Sequence, residues 1–162
     1  MREEILRETT TQFSTDLQET AAKEPFLAVL RELAQAYHAF SAYSAAHVRQ
    51  LGLTPAQFDV IATLGNTQGM PLSQLAQKTL ITKGTLTGII DRLEEKGLVS
   101  REVPVGDRRS FLAVLTPAGE ALFAQVFPAH IDYLKRAFTE GDEGELEQVR
   151  RTLRGLRGRF QD

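Results

Sequence analysis

Residues 72–116 read LSQLAQKTLITKGTLTGIIDRLEEKGLVSREVPVGDRRSFLAVLT and predict two helices in close succession. The first is short and amphipathic, with apolar residues at Leu72, Leu75, Ala76 and Leu80. Thr82 can cap the second helix, because its side chain can accept a hydrogen bond from a backbone N–H of the first turn. Apolar residues of this second helix follow the spacing of a single buried face, at Leu86, Ile89, Ile90 and Leu93. The pattern indicates two helices joined by a tight corner.

A β-hairpin is predicted directly after the second helix. Gly97 ends that helix, residues 98–103 are predicted as a strand, residues 104–109 as a turn, and residues 110–115 as the returning strand. The predicted fold class is therefore mainly α with a small β wing: a winged helix-turn-helix with flanking dimerisation helices. In such a fold the second helix can enter the major groove of DNA, so a DNA-binding regulator is the expected function class.

Charge restricts which part of the second helix could face DNA. Asp91 and Glu95 near its far end would be repelled by phosphates, whereas its start carries the positive end of the helix dipole. We therefore expect the first two turns to approach the groove, with readout by Lys83, Thr85 and Thr87. A methyl group on a threonine can contact the methyl group of thymine.

Long helices are predicted on both sides of this region. Apolar positions between Phe26 and His47 alternate in steps of four and three, and the same spacing recurs between Leu146 and Phe160. Such seams are typical of helices that pack along other helices. We expect an N-terminal extension at residues 1–24 and one domain at residues 25–162. Within it, residues 54–116 form the winged lobe, and residues 25–51 and 117–162 form dimerisation helices.

Composition excludes several classes of site. The 162 residues carry a net charge of −2 and contain no cysteine, so disulfides, thiolate metal sites and cysteine nucleophiles are excluded. No run of about eighteen apolar residues and no secretory signal is present, which predicts a cytoplasmic protein without a membrane partner. His38, His47 and His130 lack metal-ligand spacing, and no nucleophile elbow or phosphate loop occurs. We expect no cofactor, no metal and no enzymatic activity.

Several motifs together resemble the MarR family of bacterial transcriptional regulators. They are Asp91-Arg92-Leu93-Glu94 followed by Gly97-Leu98, then Asp107-Arg108-Arg109, then Leu115-Thr116-Pro117-Ala118-Gly119. The resemblance covers roughly residues 25–160. It depends on the presence of all these motifs together, since any one motif alone is unspecific. It implies a homodimer that presents two winged lobes to a palindromic operator in double-stranded DNA. It also implies repression that is relieved by a small ligand or an oxidant, and the lack of cysteine excludes a thiol-based oxidant switch.

The resemblance also implies roles for individual residues. The family's recognition helix falls on residues 82–96, beginning at Thr82, and its wing-tip arginine falls on Arg109, which is expected to enter the minor groove. Asp107 matches the acid that supports this arginine. Arg108 and Arg92 are expected to contact DNA, and Arg92 has local pairing with Asp91 or Glu95 as its alternative. An arginine at the wing tip agrees with the negative potential of a narrow minor groove.

Two departures from the family pattern affect the expected specificity and ligand. Gly84 and Gly88 occupy groove-facing positions where many relatives carry long polar side chains, so readout by this helix should be moderate. The N-terminal extension resembles that of a branch that senses urate or other aromatic acids. That branch uses a tryptophan in its extension, whereas this chain has no tryptophan and Phe13 is the nearest aromatic residue. Asp59 and Arg109 match further ligand positions, and His47 either lines a pocket or packs in the interior. An aromatic-acid effector bound by Phe13, His47 and Asp59 is the resulting prediction.

Two other functions remain open from the residues alone. The low charge of the second helix and its two glycines favour a winged-helix interaction or dimerisation module that does not read DNA. An enzymatic alternative is the winged-helix dimerisation domain of a methyltransferase, although no catalytic domain follows Asp162 in this sequence. Sequence-selective DNA binding separates the first alternative from a regulator.

Overall fold

The computed structural model of the chain describes residues 24–79, 81–103, 111–138 and 142–161. The chain divides into two compact units, Met1–Tyr43 and Ser44–Asp162. Within the described residues the elements in chain order are α1 (Phe26–Gln50), α2 (Pro55–Leu64), β1 (Met70–Pro71), α3 (Leu72–Thr79), α4 (Lys83–Glu95), β2 (Val99–Glu102), β3 (Leu112–Leu115), α5 (Pro117–Lys135) and α6 (Glu143–Gly158). The predicted class, mainly α with a small β wing, is confirmed.

Three helices begin with a threonine cap. Thr54-Pro55 and Thr116-Pro117 favour such a start in the sequence, as Thr82 does. The backbone N–H of Gln57 donates to Thr54 Oγ1 at 3.2 Å, and the Thr54 N–H donates to Gln57 Oε1 at 3.1 Å. This reciprocal pair satisfies two N–H groups at the start of α2 that have no partner within the helix. Thr82 and Thr116 cap α4 and α5 without a reciprocal bond, each accepting from the N–H three residues later.

The wing is part of a three-stranded antiparallel sheet in the order β1-β3-β2. In the β2–β3 pair, Val99 lies opposite Leu115 and Glu102 opposite Leu112, so the paired strands are shorter than predicted. The third strand, β1, was not predicted, because two residues that include a proline give no alternating pattern. Met70 pairs with Ala113, and Gly69 at φ +84° approaches the Ala113 carbonyl so closely that a Cβ would lie 2.7 Å from its oxygen.

The hydrophobic core of the second unit fixes the orientation of α4. All four residues predicted to face inward are buried: Leu86, Ile89, Ile90 and Leu93. They pack with buried side chains of α2, α3, β2 and β3, including Ile61, Leu64, Leu75, Val99 and Ala113. Burying a large aliphatic side chain contributes roughly 1.5–3 kcal/mol, so rotation of α4 about its axis would be costly. The opposite side of α4 is therefore fixed toward solvent.

Two motif pieces that are distant in sequence meet at the start of α5. Thr116 Oγ1 donates to the Gly97 carbonyl at 2.6 Å, and the Thr116 N–H donates to the Leu98 carbonyl at 3.1 Å. A Cβ at Gly119 would lie 2.0 Å from the Leu98 carbonyl oxygen, so only glycine fits there. The contact joins the end of α4 to the start of α5.

The last helix begins earlier than the sequence suggested. The glycines at positions 141 and 144 predict a break over residues 141–144, but Asp142 caps a helix that starts at Glu143, with the Glu145 N–H donating to Asp142 Oδ1 at 2.8 Å. No residue of α6 is fully buried, although the structure describes every one of them. Leu146, Val149 and Leu153 are 41%, 55% and 48% exposed. The seam predicted for this helix is therefore present and uncovered.

Within the described residues, none of the helices is both long and apolar enough to cross a membrane.

Candidate nucleic-acid interface

The structure places five of the predicted DNA-contact residues on the exposed surface at the beginning and along both flanks of α4. These residues are Thr82, Lys83, Thr85, Thr87 and Arg92, and each is exposed. Thr87 lies on one flank of the side opposite the buried row, and Thr85 and Arg92 lie on the other flank. A convex helix face with its positive dipole end uncovered is suited to approach a negatively charged groove.

Hydrogen bonds within α4 limit what each threonine can offer. Thr82 Oγ1 donates to Thr85 Oγ1 at 3.0 Å, so the Thr85 hydroxyl keeps its own proton for an outside acceptor. Thr87 Oγ1 donates to the Lys83 carbonyl at 3.0 Å. Thr87 can therefore present its methyl group and an oxygen lone pair, but its hydroxyl proton is already engaged.

Gly84 and Gly88 leave the backbone of α4 uncovered on this face. An added Cβ would meet no other atom within 4 Å at either position, so packing in the protein does not require glycine there. Glycine in a helix interior is less favourable than alanine by about 1 kcal/mol. The two glycines thus weaken the helix where it is most exposed and allow close approach to its backbone.

Arg101 on β2 links the wing to α4. Its guanidinium forms ion pairs with Asp91 and Glu94, and its Cζ atom lies 5.2 Å from the centroid of the Phe111 ring. The hydrogen bond with Asp91 is the largest of the interactions that raise the pKa of Arg101. Asp91 therefore has a structural role, because it ties α4 to β2.

Sequence reasoning did not identify Arg101 as the partner. A usable signal was present, because Asp91 and Glu94 stand three residues apart on one helix face and the next strand supplies a cation. Arg92 was considered as a partner of Asp91, but its side chain has no ion pair within the described part of the chain. It therefore stays available to an outside anion.

The remaining predicted residues of the wing and extension lie outside the described residues. These are Asp107, Arg108, Arg109 and Phe13. Their assigned roles stay predictions.

His47, a predicted ligand residue, belongs to a ring cluster. Its Nδ1 atom lies 3.0 Å from Nδ1 of His130, and His130 Nε2 lies 3.1 Å from Ser44 Oγ. The His47 ring also stacks on Tyr133 at a centroid distance of 4.1 Å, and Phe58 contacts the edge of His130. His130 is buried, and this burial, with a smaller contribution from His47, lowers its pKa.

Asp59, another predicted ligand residue, lies on the exposed side of α2. Partial desolvation raises the pKa of its carboxyl group. A carboxylate at this position would repel an acidic ligand unless one of the two groups were protonated. Among the described residues, no group of three or more His, Cys, Asp and Glu side chains could hold a metal ion.

Comparison with known proteins identifies relatives along most of the chain. A model described as the MarR family matches residues 53–111. The HTH-type transcriptional regulator MhqR of Bacillus subtilis (strain 168) is 30% identical over 122 residues, which cover 75% of this chain and 84% of MhqR.

Solved structures show the same fold. One is AbsC, a MarR family transcriptional regulator from Streptomyces coelicolor, with a TM-score of 0.75 and 26% identity, covering 83% of this chain and 93% of AbsC. Another is Bordetella bronchiseptica BpsR, whose DNA binding is regulated by 6-hydroxynicotinic acid. Its TM-score is 0.72 and its identity 27%, with coverage of 82% and 95%.

Proposed function

Since the chain belongs to the MarR family of transcriptional regulators, we propose that it is a homodimeric, sequence-specific DNA-binding repressor that responds to a small ligand. The observation that carries the proposal is the exposed face of α4. Its apolar side is fixed in the core, while its cap and first two turns together hold a lysine, three threonines and two glycines without covering side chains. Its relatives are transcriptional regulators and not enzymes.

The assignment of DNA contacts follows from this face. Thr82, Lys83, Thr85 and Thr87 would contact bases and phosphates in the major groove, and Arg92 would contact a phosphate at its edge. Arg108 and Arg109 would reach the neighbouring minor groove, with Asp107 supporting Arg109. In a symmetric dimer the two recognition helices would lie about one helical turn of DNA apart, so a palindromic operator is expected.

Exposed apolar surface supports the dimer. Besides α6, helix α1 exposes large apolar side chains, among them Phe26, Leu30, Tyr37 and Phe40. Apolar rows of this kind on a monomer usually mark an interaction surface. The expected partner is a second copy of this chain, because helices on both sides of the lobe carry such rows.

Ligand response is supported by the similarity to BpsR, whose DNA binding is regulated by an aromatic acid. An aromatic acid is therefore the effector class that we propose for this chain. His47 and Asp59 with Phe13 remain the ligand residues expected from the resemblance.

The proposal is tested by fluorescence anisotropy with the DNA upstream of the protein's own gene and a shuffled fragment of equal length. Selective binding that weakens steeply with salt is expected, since phosphate contacts release counterions.

Arg109→Ala should weaken operator binding by about 1–3 kcal/mol and leave the dimer intact. Lys135→Gln, which removes an exposed cation at the end of α5, is the control and should bind like the wild type.

Equal affinity for both fragments would contradict sequence-specific binding. The open backbone at Gly84 and Gly88 and the acids at Asp91 and Glu95 favour the alternative, a winged-helix interaction module that does not read DNA. That alternative predicts no binding to either fragment even at low salt. Unchanged affinity of the Arg109→Ala variant would remove the role of Arg109 alone.

A further inference from the structure

The first two turns of α4 carry few groups that could identify a base by hydrogen bonds. Residues 83–88 read Lys-Gly-Thr-Leu-Thr-Gly and contain no arginine, asparagine or glutamine. Those side chains form the paired hydrogen bonds that select guanine or adenine in the major groove. Lys83 can reach a guanine or a phosphate, so the remaining base recognition by these turns depends on Thr85, Thr87 and the helix backbone.

Thr87 presents a methyl group to solvent without a free hydroxyl proton. Its side chain is exposed, and its Oγ1 donates to the Lys83 carbonyl at 3.0 Å. This bond engages the hydroxyl proton and holds the side chain in one rotamer. Because the methyl group is already held in place, its contact with a base would cost little side-chain entropy. Thr85 differs, since its hydroxyl accepts from Thr82 and keeps its own proton.

Gly88 leaves room for a base next to Thr87. At about 100° per residue, Gly88 lies near the centre of the solvent side of α4 and Thr87 lies on one flank. A Cβ at position 88 would meet no protein atom within 4 Å, so the space above this glycine is open. A base edge can therefore approach the backbone at Gly88 until its outermost group touches the methyl group of Thr87.

Thymine is the base whose outermost group in the major groove matches this surface. Its C5 methyl group projects into the groove, whereas cytosine has only a hydrogen at that carbon. Contact between two methyl groups removes apolar surface from water and needs no hydrogen bond. A purine in the same place would leave its polar edge opposite a carbon atom, which costs free energy when water is excluded.

We infer that Thr87 is a specificity-determining residue, which recognises a thymine in each half of the operator through contact between the two methyl groups, with Gly88 providing the room. The inference rests on the proposed function, because it requires α4 to lie in the major groove. It adds to that function the identity of one base and the chemical group by which this base is recognised.

Replacement of thymine by deoxyuridine tests the inference, because it removes the C5 methyl group and keeps every hydrogen-bonding group of the base. Operators are first selected from a pool of randomised duplexes with the full chain. Each thymine of the half-site is then replaced in both halves at once, and affinity is measured by fluorescence anisotropy. One buried methyl group corresponds to about a 4-fold change in affinity, so replacement at the contacted position should weaken binding about 15-fold. Thymines outside the half-sites are the control.

Thr87→Ser makes the matching change in the protein. It removes the methyl group and keeps the hydroxyl that bonds to the Lys83 carbonyl. Affinity for the thymine operator should fall about 10-fold, whereas affinity for the deoxyuridine operator should change less than about 2-fold, since the contact is already lost there. Thr152→Ser on α6 is the control, because Thr152 is exposed and its hydroxyl makes the same bond to the carbonyl four residues earlier. It should bind both operators like the wild type.

The outcomes distinguish the inference from the proposed function. A thymine whose methyl group matters to the wild type and not to Thr87→Ser would support the inference. Equal affinity for the thymine and deoxyuridine operators, an equal loss from Thr87→Ser on both, or a selected half-site without thymine would overturn it. Selective DNA binding in those cases would leave the proposed function standing. A pool that yields no preferred sequence would overturn the proposed function and the inference together.

Discussion

Gly88 has no packing role that the structure reveals, yet it occupies the centre of the exposed face of α4. Two explanations for a glycine at this position make different demands on its side chain. If α4 approaches DNA closely, a side chain at this position would come between the helix backbone and the base edges. If α4 contacts nothing, any small residue would be tolerated at position 88, and alanine would stabilise the helix more than glycine does.

Gly88→Ala distinguishes these explanations at the scale of one residue. Because a Cβ at position 88 meets no atom within 4 Å, we expect the variant to be more stable by up to about 1 kcal/mol in urea unfolding. Its operator affinity should nevertheless fall, by about 10-fold. Gly155→Ala on α6, where a Cβ is equally unobstructed, is the control and should raise stability without changing affinity. Undiminished DNA binding by Gly88→Ala would mean that α4 does not approach DNA through this face.

Between elements, Arg101 joins β2 to α4 by pairing with two acids of the recognition helix. Exposed ion pairs contribute little to stability, about 0–1 kcal/mol each. Their larger effect should be on DNA binding, because Arg101 both positions the wing and neutralises Asp91 and Glu94 beside the proposed phosphate contacts. Without Arg101, two unpaired negative charges would lie close to the duplex in the proposed complex.

We therefore expect Arg101→Gln to lower the free energy of unfolding by about 1 kcal/mol and to weaken operator binding at least 10-fold. Anisotropy and urea unfolding measure the two effects. Arg150→Gln removes another ion-paired arginine, that of α6 with Glu147, and should leave DNA binding unchanged. Adding Asp91→Asn to Arg101→Gln should recover part of the affinity if repulsion causes the loss. Parallel loss of stability and affinity would indicate a purely structural role.

The contact of α1 with α5 through His47 and His130 should make stability depend on pH. Their Nδ1 atoms are 3.0 Å apart, so one of the two must lack a proton for the hydrogen bond to form. Burial lowers the pKa of His130 in the folded protein, so the unfolded chain binds a proton more readily. Stability is then fully present above the ordinary histidine pKa of about 6.5, decreases as pH falls through that value, and levels off below the folded pKa.

Thermal melting between pH 8 and pH 5 checks this prediction. The melting temperature of the wild type should fall over the acidic half of the range, and His130→Asn should flatten the dependence even if it lowers the melting temperature overall. His38→Gln, which removes an exposed histidine of α1, should keep the wild-type slope. An unchanged slope in His130→Asn would show that another group dominates.

For the whole molecule, α6 provides the clearest test of assembly. Leu153 lies in its apolar row and is 48% exposed. Leu153→Glu would place a charge in the proposed dimer interface, where an unpaired charge is costly. We expect a loss of about 3 kcal/mol, equivalent to about a 100-fold weaker dimer. Sedimentation velocity should then detect monomer, whereas Gln148→Glu, the same added charge beside the row, should remain dimeric. A wild type that sediments as a monomer would contradict the dimer itself.

The structural features that the sequence predicted correctly depend on residues that are close together in the chain. The caps at Thr54, Thr82 and Thr116 and the buried row of α4 follow from spacing within one turn or one helix, and all are present. Features that depend on distant pairing were not predicted. The strand at Met70 exists because Ala113 lies opposite it, and His47 meets His130 across 83 residues. The groove lined by Arg49, Gln57 and Arg92 likewise combines residues of three helices, whose arrangement local spacing does not specify.

A helix such as α6, which has no fully buried side chain in its own chain, contributes little to folding until another surface covers it. Under the proposed assembly its order depends on mass action, and dilution would loosen the C-terminal part before the lobe melts. Apparent operator affinity would then reflect cellular copy number as well as sequence recognition. A cell could thereby keep the regulator inactive simply by making little of it.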